Sequence, residues 1–92
     1  MIQLPQKDPQ SILNYEVDFA DDLGTDTVAG SPTVVGSGVT VQSSPAPSFS
    51  GTKLTFWLSG GTAGQTATVT ITFNTAGGAK IESSAWLYVD DL

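Results

Sequence analysis

The stretch WLSGGTAGQTATVTITF, Trp57–Phe73, decides the fold. It opens on the end of an apolar segment and passes through the small-residue run SGGTAG. It ends in a strict alternation, with Ala67, Val69, Ile71 and Phe73 on one phase and Thr66, Thr68, Thr70 and Thr72 on the other. Successive side chains of a strand point to opposite faces, so a period of two predicts a half-buried β-strand. Threonine is β-branched and polar, which suits an exposed pleated face. The stretch contains no base, and plain hydroxyls are its only potential nucleophiles. The best-patterned segment of the chain therefore serves structure.

The same period recurs on both sides. Leu54, Phe56 and Leu58 share a phase just before the turn Ser59–Gly64, and Leu13, Tyr15, Val17 and Phe19 alternate with Asn14, Glu16 and Asp18. After the glycine-rich NTAGGAK, a hairpin signal, Ile81, Ala85, Leu87 and Val89 set one face of a last strand, with Glu82, Ser84, Trp86 and Tyr88 on the other. Between these runs, Asp21-Asp22-Leu23-Gly24 reads as a turn. Thr27-Val28 reads as a short strand stopped by Gly30-Ser31-Pro32, and Val34-Val35 and Val39–Val41 as two short strands around Gly36-Ser37-Gly38. Ser43–Gly51 reads as a loop, because Pro45 and Pro47 cannot donate to a ladder. No window carries a helical apolar stripe. The expectation is an all-β fold: a single Ig-like antiparallel β-sandwich of about six to seven short strands over residues 12–92, preceded by an N-terminal arm, residues 1–11. The arm, with two prolines and little patterning, is expected to order on binding a neighbour. The cysteine pair of an antibody domain is missing; a small jelly roll or open barrel is the alternative.

Composition narrows the chemistry. The chain has 92 residues, enough for one domain, with no cysteine or histidine; its three cations, Lys7, Lys53 and Lys80, leave no arginine. Disulfides and thiolate or imidazole metal sites are thereby excluded, as is the commonest general base. A formal charge of −6 without arginine predicts that nucleic acid is not a direct partner. No apolar run approaches the ~20 residues of a membrane span, and no secretory signal pattern is visible, so no membrane or export role is expected.

The candidate sites are few. Asp18, Asp21, Asp22 and Asp26 lie in DFADDLGTD, where oxygen clusters can bind Ca²⁺; their spacing is not that of an EF-hand, and aspartates also close turns by accepting from backbone amides. The turn reading is preferred, and no metal or cofactor is expected. The glycine tracts precede no helix and no Lys-Ser/Thr, so they are turns and not phosphate loops. Trp57, Trp86 and Tyr88 stand out of phase with their apolar neighbours. They are either interface anchors or surface covered by the N-terminal segment or the proline loop.

Three stretches together carry a resemblance: NYEVDFADDLGTDTVAG, GVTVQSS and TFWLSGGTAGQTATVTITFNTAGGAKIESSAWLYV, spanning about Asn14 to Val89. They resemble the small Ig-like tail proteins of bacteriophages described as fibre–tail adaptors, which share a segment of the type D-x-x-L-G-x-D-T and a glycine-turn hairpin. Here Asp21/Asp22 to Thr27, Phe56 to Thr70 and Asn74 to Val89 match; GGAKIESS, Trp86 and Tyr88 depart from the pattern. The resemblance implies a non-enzymatic virion protein that docks tail fibres or spikes onto the tail, in several copies around a symmetry axis. The expected contacts are Trp57, Trp86 and Tyr88, with Ser59, Gly60, Gly61 and Thr62 of the turn. A capsid cement protein that stabilises the head shell is the alternative. A carbohydrate-binding adhesion module is a further one, since aromatics also stack on sugars.

Overall fold

A computed structural model describes residues 2–91. The alternating segments form eight strands: β1 (Ile2–Gln3), β2 (Leu13–Asp18), β3 (Val28–Ser37), β4 (Thr40–Val41), β5 (Ser48–Ser50), β6 (Lys53–Ser59), β7 (Gln65–Thr75) and β8 (Lys80–Val89). They make two packed sheets. One has the order β1-β8-β7-β3; in the other, β6 is central, with β2 on one flank and β4 and β5 sharing the other. The arrangement is a two-sheet β-sandwich.

The threonine strand is the backbone of the first sheet. β7 pairs with β8 in unbroken antiparallel register from Gln65↔Val89 to Asn74↔Lys80. That register turns Ala67, Val69, Ile71 and Phe73, with Ala85, Leu87 and Val89, toward the second sheet, where all seven are buried. β6 answers with Leu54, Phe56 and Leu58, each fully buried, and β2 with Tyr15 and Val17. Burying each large side chain contributes about 1.5–3 kcal/mol, which makes this two-faced core the main source of stability. Aromatic rings close one end. Phe73 meets Phe19 at 5.0 Å and Phe49 at 4.9 Å between ring centroids, both edge-on. That is the geometry the ring quadrupoles favour.

Four local expectations differ. Val28 and Val34-Val35 belong to one ten-residue strand, β3, which begins after Thr27 and runs through Gly30-Ser31-Pro32. It survives because it is an edge. Ala29 pairs with Asn74 and Thr33 with Thr72, so β3 holds two extra residues there as a bulge that absorbs the proline. The loop Ser43–Gly51 contains a short strand, β5, which pairs with the Lys53–Thr55 end of β6. The turn after β2 is one turn of helix, α1 (Ala20–Leu23), stopped at Gly24, whose φ is 60°. Leu23 is buried against the core, which is why the chain winds there instead of simply reversing.

The fourth difference concerns the antiparallel expectation, which fails at the N-terminus. β1 pairs with β8 in parallel, Ile2 with Ala85 and Gln3 with Trp86. The following residues stay beside β8: the amides of Leu4 and Lys7 donate to the carbonyls of Trp86 and Tyr88 at 2.8 and 3.1 Å. The segment then crosses to the second sheet and enters β2. Among the described residues, no helix is long and apolar enough to cross a membrane.

Candidate functional site

The phase of β8 that buries Ala85, Leu87 and Val89 sends Trp86 and Tyr88 to the outer face of the first sheet, where both are partly exposed. Their cross-strand neighbours on β7 are Thr68 and Thr66, and Gln3 of β1 flanks Trp86 on the other side. One row further lies Val35 on β3, 58% exposed and opposite Thr70. The charged residues of β8, Lys80 and Glu82, are at its opposite end. Between these charges and Asp90, which follows Tyr88 in the same outward phase, this leaves a patch of aromatics, threonines and one valine with no charge of its own.

Trp57 is elsewhere. Its neighbours Phe56 and Leu58 are buried inside, so Trp57 points outward from the second sheet, beside Asn14 of β2. The structure brings Trp86 and Tyr88 together and sets Trp57 on the opposite face of the sandwich, so the three do not form one aromatic surface.

The turn Ser59–Gly64 sits at the Tyr88 end of the first sheet, since Thr66 pairs with Tyr88 and the Gly64 amide donates to the Val89 carbonyl at 2.7 Å. Gly61 has φ 105°, and a Cβ there would stand 3.0 Å from both methyls of Val89. Glycine is required at that position for both reasons. The Gly60 carbonyl accepts from the Lys7 ammonium at 2.7 Å, and the Asp8 carbonyl accepts from the same group at 2.8 Å. Lys7 is fully buried. Burial pushes its pKa down, while the Asp8 charge offsets part of that shift. Ser59 and Gly61 are half-buried, and Gly60 and Thr62 are exposed. Sequence reasoning missed Lys7 and Val35. Nothing in MIQLPQKDPQ marks a lysine for burial, and the adjacent Val34-Val35 does not reveal which of the two faces out.

Asp18 and Asp26 close turns, while Asp21 and Asp22 lie exposed in α1. Asp18 accepts from the Thr52 hydroxyl at 2.8 Å and the Ala20 amide at 2.9 Å. Asp26 accepts from the Thr27 and Gly77 amides at 2.8 and 3.0 Å. Among the described residues, no three acidic, histidine or cysteine side chains gather as metal ligands would. An open groove of about 460 Å³ lies between the β3 bulge and β5, with Val28, Pro32, Pro47 and Phe49 in its walls and no titratable side chain. Surfaces of this kind can hold a partner.

The chain is a small β-sandwich whose distinctive residues lie on outer faces and in an end turn. The family it falls in is specific. The family model described as Podophage GP4 fiber-tail adaptor protein gp77 matches residues 7–88, nearly the whole chain, and the chain belongs to that family. It is a bacteriophage tail structural protein and a component of the virion. No protein of curated function matches the chain.

Proposed function

We propose that this protein joins a tail fibre or spike to the tail non-enzymatically, using the two outer faces of its sandwich for two different protein partners. The observation that carries this reading is the uncharged patch around Trp86 and Tyr88. It is the kind of surface on which aromatic anchors give most of the binding energy, with threonines around them excluding water. Ser59, Gly60, Gly61 and Thr62 extend that surface at its end, where Lys7 holds the turn rigid. Trp57 anchors the second partner on the opposite face. Several copies around the tail axis would strengthen each weak contact by multivalency.

The test is assembly with fibreless tails and purified fibres, counting copies per particle by quantitative mass spectrometry. Wild-type copies should equal a multiple of the tail's rotational symmetry. The double variant Trp86→Ser/Tyr88→Ser should lose one partner and Trp57→Ser the other, with each fold checked by circular dichroism. If both folded variants assemble normally, or both lose the same partner, the two-face assignment is wrong.

A further inference from the structure

An unpaired strand edge is a template for another strand, and folded proteins blunt such edges with prolines, bulges or short length. Most edges here are blunted in that way. β3 carries Pro32, a bulge and Gly30 at φ 74°. β1 and β4 have two residues each and β5 three. β2 is the exception. All six of its residues pair with β6 without a register slip, and it contains neither proline nor glycine. Among the described residues, β6 is its only strand partner. Two exposed apolar residues stand at its start, Ile12 at 57% and Leu13 at 37%.

The charges on β2 say what would fit. Glu16 and Asp18 are exposed at alternating positions of its outer face. Lys53 of β6 reaches Glu16 only at 3.7 Å, with both side chains 55% exposed, so this carboxylate is free to take a second cation. Opposite charges directly across strands stabilise pairing and like charges oppose it. A second copy of this chain is a poor match. Its β2 has no basic residue, and its three lysines, Lys7, Lys53 and Lys80, lie far apart.

We infer that the free edge of β2 accepts an extended segment of a different polypeptide by strand addition, with Lys or Arg at two alternating positions facing Glu16 and Asp18 and an apolar residue beside Leu13. Backbone hydrogen bonds supply the affinity and the paired charges the choice of partner. The inference stands on this edge and its charges, independently of the Trp86–Tyr88 face.

The probe is a labelled synthetic peptide of alternating lysine and valine, titrated into the full chain by fluorescence anisotropy, with amide exchange read across β2. The expected result is binding that slows exchange in β2 and weakens by about tenfold with Glu16→Lys or with backbone N-methylation of the peptide. Glu16→Lys should leave the melting temperature nearly unchanged. Asp18 is left intact because it holds Thr52 and Ala20. Binding without protection of β2, equal binding of the N-methylated peptide or of one with glutamate for lysine, or no binding at millimolar concentration overturns the inference. Self-association of the chain through β2 would assign the edge to a second copy and overturn it as well. A Trp86→Ser/Tyr88→Ser variant that still binds the peptide separates this edge from the patch on β8.

Discussion

Two aspartates show what single carboxylates do here. The Asp18 pKa is held below its ordinary value first by the Thr52 hydroxyl and then by the Ala20 amide, and that of Asp26 first by the Thr75 hydroxyl and then by the Thr27 amide. A depressed pKa in the folded state means stability that is complete above the unfolded value and is lost as pH falls through the folded one. Both groups therefore contribute near neutrality and stop contributing in acid. The melting-temperature gap between wild type and Asp26→Ala should be largest above about pH 5 and shrink toward about pH 2. A gap independent of pH would mean that Asp26 acts only as a spacer for Gly77. Lys7 is a buried cation held by the Asp8 and Gly60 carbonyls. Lys7→Ala removes the stem and both bonds and should cost about 2–4 kcal/mol in denaturant unfolding. Lys7→Met keeps the apolar stem and should cost about 1 kcal/mol. In both variants the Leu4 and Lys7 amides, which bond to β8, should exchange faster with solvent.

At the scale of elements, strands whose own residues carry the pattern were legible from sequence. β2, β6, β7 and β8 each show a period of two, and their buried phases follow it except at Leu13, at the exposed start of β2. Elements that depend on what lies next to them were not. Gly30-Ser31-Pro32 signals a turn in isolation, and only an edge position lets β3 continue through it as a bulge. β5 has three residues and exists because β6 extends beyond β4. β1 has no alternation to read, and it became a strand because β8 offered a free parallel edge. The candidate site divides in the same way. The outward phase of Trp57, Trp86 and Tyr88 follows from the pattern, but which sheet each occupies is a matter of topology. A reading along the chain cannot separate Trp57 from the other two. The family's hairpin was recognisable because a glycine turn between alternating strands is local.

The whole molecule is a slab of 42 × 25 × 17 Å. Its two broad faces are separated by the thickness of two packed sheets, so a partner on one face would not touch a partner on the other. The parallel contact of the N-terminal segment with β8 gives this slab a mechanical property. Force entering at the N-terminal end and leaving at the C-terminal end runs along β1 and β8 in opposite directions. The bonds from Leu4 and Lys7 to Trp86 and Tyr88, and from Asp90 back to the Lys7 carbonyl, then bear the load together in shear. A hairpin pulled from its open end loses its bonds one at a time, by contrast. In single-molecule stretching, pulling through the termini should therefore need more force than pulling between Gln65 and Val89, the paired open ends of the β7–β8 hairpin. Equal forces would show that the N-terminal contact bears no load. For the adaptor role proposed above, tension along the chain should meet its strongest resistance at the seam where first and last strands run side by side.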